Sequence, residues 1–199
     1  MKKNPSPVMA LAHSRATFSA SDAVALGISR VTLSRLVERG ELSRVARGIY
    51  TSTKRQPTEF DGMLEVAAQV PSGVFCLLTA LRFHRLTTQS PFEIWMAIPG
   101  KARVPNIDYP PVRVVWYSGD VLSEGIESHL IEGQSIRVYS VAKTVADCFK
   151  YRNKIGIDVA IEALQDAWKK QAVTMSELHR FAKICRVEKI IRPYLEFLV

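Results

Sequence analysis

The sequence predicts an α+β protein in which a short basic segment of helices and a hairpin precedes a longer segment that combines a small sheet with four late helices. Three observations predict this class. Residues 1–60 hold 10 basic and 4 acidic residues, whereas residues 61–199 hold 17 and 15. Apolar residues recur at helical spacing in the first segment, and they alternate in strand-length runs in the second before turning helical near residue 140. At 199 residues and 47% hydrophobic content, the chain is long and apolar enough for real cores, which excludes a disordered protein.

Three short helices are predicted within the first 40 residues. The first covers residues 6–15, and the second covers residues 22–26, follows capping serines and ends at Gly27. Ser29 is placed to cap a third helix that runs from Arg30 to residue 38 or 39 and stops at a glycine. Leucine and valine form its buried stripe at positions 33, 36 and 37. Two short helices joined through a glycine turn have the proportions of a helix-turn-helix, whose second helix enters the major groove of DNA.

The outward face of the third helix predicts DNA contacts. Arginine can bind the O6 and N7 atoms of guanine as a fork, and serine or threonine can bond bases or phosphates. Arg30 lies in the first turn, where such a helix usually meets bases, and Val31 could contact a thymine methyl group. The candidate DNA-binding residues of this segment are Ser29, Arg30, Thr32, Ser34, Arg35 and Arg39.

A basic β-hairpin follows the third helix. Residues 42–45 and 49–51 are strand-like runs on either side of a turn that contains Gly48. Arg44 and Arg47, near the tip of this wing, complete the candidate set, because they are placed to neutralise phosphates or to enter the minor groove. We therefore predict a winged helix-turn-helix over residues 1–52. A protein-interaction module with solvated arginines is the alternative interpretation.

The remainder of the chain predicts a second domain. Residues 53–60 are polar, contain a proline and are interpreted as a linker to a C-terminal α+β domain over residues 61–199. A helix is expected at 59–69, and a strand or helix start that runs into a helix at 74–86. The expected strands are 93–98, 112–117, 127–131 and 134–139, and the expected late helices are about 141–152, 157–170, 174–185 and 187–198.

Six segments, in this order along the chain, carry a resemblance to a known family. They are residues 25–29 (ALGIS), 36–42 (LVERGEL), 47–50 (RGIY), 78–87 (LTALRFHRLT), 139–148 (YSVAKTVADC) and 190–195 (IIRPYL). With these motifs the sequence resembles the AbiEi family, the antitoxin and autorepressor of bacterial type IV toxin-antitoxin systems, which act in phage defence.

The resemblance implies a function for each part. The winged helix would bind repeats of double-stranded DNA in the promoter of its own operon, as a monomer or weak dimer, and so repress it. Arg30 and Arg35 on the helix and Arg44 and Arg47 on the wing match basic positions of the family's motifs. The C-terminal domain would counteract a co-encoded AbiEii-like nucleotidyltransferase toxin without a stable complex.

Motifs for catalysis or cofactor binding are absent from the sequence. It has no glycine-rich phosphate loop, no pair among its four histidines and three cysteines at metal-ligand spacing, and neither the Glu-x-Lys of nucleases nor the Asp-x-Asp of nucleotidyltransferases. We therefore expect a protein that is not an enzyme and uses no cofactor or metal. An odd number of well-separated cysteines, with no export signal and no membrane span, predicts a cytoplasmic protein with reduced thiols.

Several features leave alternatives open. A free-standing regulator could sense a small ligand, with Phe92, Trp95 and Trp116 lining a pocket, although these side chains more commonly fill a core. An enzyme of an unrecognised type is a third class.

Lys143 and Asp147 are four residues apart and predict a surface or half-buried ion pair. The late basic residues form a solvated face, a second nucleic-acid surface or a toxin contact; they are Lys169, Lys170, Lys183, Arg186, Lys189 and Arg192.

Overall fold

The computed structural model describes residues 7–198, and these residues form two units. The first unit contains residues up to 72 together with 107–110 and 128–136, and the second contains the remaining residues. The domain bounds and the linker inferred from the sequence stay a prediction. Residues 53–60 belong to the first unit, as does the outer part of a hairpin from much later in the chain.

The first unit combines four helices with a three-stranded antiparallel sheet. Its elements are α1 (Pro7–Ser14), β1 (Phe18–Ser19), α2 (Ala20–Ala25), α3 (Arg30–Glu38), β2 (Leu42–Ala46), β3 (Ile49–Ser52) and α4 (Asp61–Gln69). The strand order is β1-β3-β2. The predicted helices and hairpin are confirmed, whereas the two-residue strand β1 was not predicted.

Capping and burial explain why these short elements form. Ser19 accepts a hydrogen bond from the Asp22 backbone N–H, and the Asp22 carboxylate accepts one from the Ser19 N–H, a reciprocal capping box at the start of α2. Helices α1, α2 and α3 then share one apolar core with the sheet. Its buried members are Val8, Ala12, Phe18, Ala23, Ile28, Leu33, Leu36 and Leu42.

The second part of the chain builds a mixed five-stranded sheet and a set of helices, which confirms the predicted α+β class. Its elements are β4 (Val74–Phe75), α5 (Leu77–Phe83), β5 (Ile94–Pro99), β6 (Val112–Tyr117), α6 (Asp120–Ser123), β7 (Ile126–Ile131), β8 (Gln134–Tyr139), α7 (Val141–Lys150), α8 (Arg152–Ile155), α9 (Ile157–Lys169), α10 (Met175–Cys185) and α11 (Glu188–Glu196). The strand order is β6-β5-β4-β8-β7. β4 is antiparallel to β5 and parallel to β8, and β5 is parallel to β6. The short helices α6 and α8 were not predicted.

Helix α7 is the centre of the second core. It packs against α5, α9, α10 and α11, and all its residues from Ala142 to Phe149 are buried. The prediction of a surface or half-buried Lys143–Asp147 pair is therefore wrong, because both side chains are fully buried with Nζ and Oδ2 2.5 Å apart. His84 has a structural role in the same region, as its Nε2 lies 2.7 Å from the Tyr139 carbonyl oxygen.

The three aromatic residues considered above as pocket or core residues have different environments. Trp95 is buried in the second core, but Phe92 is 80% exposed and Trp116 is 50% exposed. The strand β6 turns Val115 and Tyr117 inward, so Trp116 lies on its outer face, where its Nε1 donates to the Ala102 carbonyl at 3.1 Å. The expectation that all three fill a core is correct for Trp95 only.

Across residues 7–198, none of the helices has both the length and the apolar character needed to span a bilayer.

Candidate nucleic-acid interface

The turn between α2 and α3 sets the position of the exposed helix. Gly27 has a φ of +75°, and the backbone N–H groups of Leu26 and Ile28 both donate to the Ala23 carbonyl, which ends α2. Ile28 is buried behind this turn. Ser29 then caps α3 by accepting a hydrogen bond from the Thr32 N–H at 3.1 Å. A short hydrogen-bonded turn therefore determines where α3 begins.

Every sequence-predicted residue of α3 is on its exposed side. Leu33 and Leu36 point into the core, as the apolar stripe predicted. The candidate side chains are all exposed: Ser29, Arg30, Thr32, Ser34, Arg35 and Arg39. Two of their hydroxyl groups have local roles, since Ser29 Oγ lies 3.0 Å from Thr32 Oγ1 and Ser34 Oγ donates to the Arg30 carbonyl at 3.3 Å.

The wing is the hairpin of β2 and β3. Its register shifts between Arg44 and Ala46, which leaves Val45 as a bulged residue, and Gly48 closes the turn with a φ of +75°. The Ala20 N–H donates to the Gly48 carbonyl at 2.7 Å, which connects the wing turn to the start of α2. Arg44 and Arg47 are both exposed, and Arg44 Nε donates to the Ala46 carbonyl at 3.3 Å. The structure thus presents both wing arginines on the same unit as the α3 face.

The charge of this surface is not neutralised internally. Among the residues that the structure describes, none of the five arginines of α3 and the wing forms an ion pair; they are Arg30, Arg35, Arg39, Arg44 and Arg47. Glu38 is the exposed carboxylate of the same helix. The cations therefore remain available to a polyanion.

Polar contacts hold the wing against the end of α3. The Thr53 hydroxyl donates to the Gly40 carbonyl at 2.7 Å and to the Glu41 carbonyl at 3.1 Å. Thr53 lies in the segment predicted as a linker, so no role in the site was expected for it. Hydroxyl bonds between residues 12 or more positions apart leave no periodic signal in a sequence.

An ion-pair network supports the base of the winged helix, and it too was not expected from the sequence. Arg55 donates from Nε to Glu132 at 2.7 Å and from a terminal nitrogen to Asp61 at 2.5 Å. The hydrogen bonds that Glu132 accepts from Arg55 and Thr58 lower its pKa. Burial on its own would raise the pKa of Asp61, but hydrogen bonds from Arg55 and Thr58 outweigh burial and lower it. The pKa of Arg55 is raised in return by Glu132 and Asp61.

Apolar side chains are exposed beside the basic ones. Val31 is 60% exposed on α3, in agreement with its predicted outward position, and Val24 and Leu26 of the preceding helix and turn are 51% and 54% exposed. Such side chains can contact thymine methyl groups. The sequence identified Val31 but not Val24 or Leu26, since an apolar residue in a short helix is more often buried.

Grouped metal ligands are absent from the described part of the chain. Over residues 7–198, no three side chains among histidine, cysteine, aspartate and glutamate are grouped so that they could hold a metal ion.

Comparisons with known proteins agree with this geometry. Residues 6–53 match a family model described as a transcriptional regulator, AbiEi antitoxin. In fold, the chain is similar to the crystal structure of the RV2827C protein from Mycobacterium tuberculosis, with a TM-score of 0.60 and 12% identity over 88% of this chain and 69% of that one. No curated protein matches the chain in sequence. The N-terminal segment of this chain, α1 to β3, is therefore similar to the AbiEi antitoxin family of transcriptional regulators.

Proposed function

We propose that this protein is a DNA-binding antitoxin that represses its own operon and counteracts a co-encoded nucleotidyltransferase toxin. The observation that carries the proposal is the exposed, unpaired set of arginines on α3 and the wing, within the segment that matches the family model. In this proposal α3 enters the major groove, and the wing arginines contact the phosphate backbone.

The proposed DNA contacts divide into two kinds. Arg30 and Arg35, together with the hydroxyls of Thr32 and Ser34, read base edges, while Arg44 and Arg47 neutralise phosphates and set the register. Arg39 and Ser29 lie at the two ends of α3 and contact the backbone next to the groove. The expected partner is double-stranded operator DNA, bound by a monomer or a weak dimer.

The antitoxin part of the proposal assigns the second unit to the toxin. The protein acts without catalysis, and it neutralises the toxin without a stable complex. Cys76, Cys148 and Cys185 are free and buried, and this supports a cytoplasmic location as part of the same proposal.

A reporter assay tests repression. The DNA upstream of the gene is fused to a reporter, and the full chain is supplied in trans. We expect the wild type to repress and the Arg30→Ala/Arg35→Ala variant to lose repression, because the base-reading forks are gone. Lys189→Ala/Arg192→Ala, which removes the same charge from exposed positions on α11, is the matched control and should repress normally. Equal repression by the wild type and the helix variant would contradict the proposal.

Co-expression tests the antitoxin activity separately. The adjacent gene is expressed from an unrelated promoter, so repression of the native promoter cannot contribute. Growth should be rescued by the wild type and equally by Arg30→Ala/Arg35→Ala, since the α3 face serves DNA. Growth arrest that persists with the wild-type protein would rule out the antitoxin role.

A further inference from the structure

A groove of about 660 Å³ lies in the second unit, far along the chain from the winged helix. One wall is formed by residues 118–121, which comprise the turn after β6 and the first residues of α6. The other walls are the C-terminal ends of α7 and α10, which contribute Lys150, Lys183, Ile184 and Arg186. Helix ends from distant parts of the chain thus converge on one concave surface.

The groove concentrates positive charge. Lys150, Lys183 and Arg186 line it, and Asp120 is its one acidic lining residue. Within residues 7–198 none of these three cations forms an ion pair, and each is exposed. The only aromatic ring near Lys150 Nζ in the described chain is that of Tyr117, at 5.9 Å. Three cations around a single carboxylate leave the groove with a net positive charge, which a bound anion would stabilise.

Basic residues at helix C-termini also complement the helix dipole, and that effect accounts for Lys150 and Lys183 taken singly. At Arg186 the same effect is opposed by the backbone conformation. Arg186 ends α10 in the left-handed conformation, with φ 59° and ψ 44°, and the Val187 N–H donates back to the Ala182 carbonyl. Glycine is the residue that this position favours, because a side chain is strained there. The chain has an arginine where the backbone favours glycine, and its side chain lines the groove.

We propose that this groove binds a small phosphorylated molecule of nucleotide size that carries at least two phosphate charges. The three cations bind the phosphates through charge-assisted hydrogen bonds. Asp120 accepts a hydrogen bond from a hydroxyl or amino group of the ligand, and Val121 and Ile184 pack against its apolar part. The volume matches that of small-molecule sites. A carboxylate in the lining favours such a mixed ligand over a continuous phosphate backbone.

Isothermal titration calorimetry on the full chain at low salt tests the proposal, with adenosine triphosphate, guanosine triphosphate and inorganic pyrophosphate as probes. The expected result is saturable binding of at least one probe, weakened at least about tenfold in Lys183→Ala/Arg186→Gly. Arg186→Gly on its own should weaken binding while raising the melting temperature, because glycine relieves the left-handed strain. If Arg186 served only the fold, its replacement would lower the melting temperature.

The control Lys189→Ala/Arg192→Ala removes the same charge from α11 and should bind the probes within about twofold of the wild type. No saturation by any probe, or an equal loss of binding in the control, would overturn the proposal. Binding of single- or double-stranded oligonucleotides that is lost in Lys183→Ala/Arg186→Gly, without binding of the small probes, would also overturn it. The groove is independent of the DNA-binding proposal, and its failure would leave operator binding untouched.

Discussion

Among single residues, Lys143 and Asp147 show how burial changes the meaning of a familiar sequence pair. On a surface, a lysine and an aspartate four positions apart contribute only about 0.3 to 0.5 kcal/mol. Here Lys143 Nζ lies 4.0 Å from the centre of the Tyr139 ring and 4.7 Å from that of Tyr117, and Asp147 Oδ1 accepts from Cys185 Sγ at 3.3 Å. Burial raises the pKa of Asp147 against the opposing effect of Lys143.

The sequence does contain a signal for this burial. Apart from the pair itself, residues 141–149 include no charged side chain, and a helix that is apolar on all sides is a buried helix. The spacing of the pair, taken alone, predicts a surface position and hides this signal. Which side chains enclose the pair depends on β6, β8 and α10, and no local pattern reports those contacts.

The buried pair predicts an unequal response to single and double substitution. Asp147→Ala should lower the free energy of unfolding by about 3 to 5 kcal/mol, because it leaves an unpaired ammonium group in the core. Lys143→Met/Asp147→Leu should lower it by much less, since it removes both charges and keeps the volume. Urea denaturation measures both values. A double variant at least as unstable as Asp147→Ala would contradict a pairing role.

Arg55 predicts a pH dependence of stability. The pKa values of Glu132 and Asp61 are lower in the folded protein than in the unfolded chain. Their contribution is therefore fully present above the unfolded values, near pH 4 to 4.5, and is lost as the pH falls through the lower folded values. Arg55→Ala should cost about 2 kcal/mol at pH 7 and clearly less near pH 3. Chemical denaturation at both pH values tests this, and an equal loss at both would show that packing, not charge, is responsible.

At the scale of elements, length decides what the sequence can predict. Helices and strands with a clear period, such as α3, β6 and α9, were predicted close to their observed bounds. The two-residue strand β1 and the four-residue helices α6 and α8 are too short to show a period. The grouping of residues 128–136 with the first unit rests on contacts across more than 70 residues, which a pass along the sequence cannot find.

The hairpin of β7 and β8 supplies a prediction of its own. Glu132 and Gly133 both have positive φ, 46° and 72°, as a two-residue hairpin turn of the primed type requires. A Cβ at position 133 would collide with the Ser14 carbonyl oxygen, and the Ala16 N–H donates to the Glu132 carbonyl at 2.9 Å. Backbone thus approaches backbone at this turn, and neither side can yield as a flexible side chain could.

Gly133→Ala should therefore destabilise the protein by more than about 3 kcal/mol, the sum of left-handed strain and backbone displacement. Gly27→Ala is the matched control, because Gly27 has a similar φ of +75° but open space around it. It should cost only about 1 to 2 kcal/mol. Thermal unfolding followed by circular dichroism compares the two, and equal losses would refute the close approach.

At the scale of the whole molecule, the distribution of charge along the sequence predicted the surface of α3 and the wing, but it did not predict the groove lined by Lys150, Lys183 and Arg186. Five of the ten basic residues among the first 60 lie on α3 and the wing, and all eight candidate residues chosen from the sequence are exposed. The late basic residues form no such pattern. Lys183 and Arg186 line one groove with Lys150, whereas Lys189 and Arg192 lie on another helix, and only the fold separates the two sets.

The central claim is that α3 and the wing bind duplex DNA, with distinct roles for the two pairs of arginines. Fluorescence anisotropy of a labelled upstream duplex, titrated with protein over a range of salt concentrations, tests it most directly. Arg44→Ala/Arg47→Ala should weaken binding to operator and unrelated DNA alike and reduce the salt slope by about 2, because each of the two arginines neutralises one phosphate. Arg30→Ala/Arg35→Ala should remove the preference for the operator over unrelated DNA. A wild-type protein without that preference, or variants that leave both the preference and the slope unchanged, would contradict the claim.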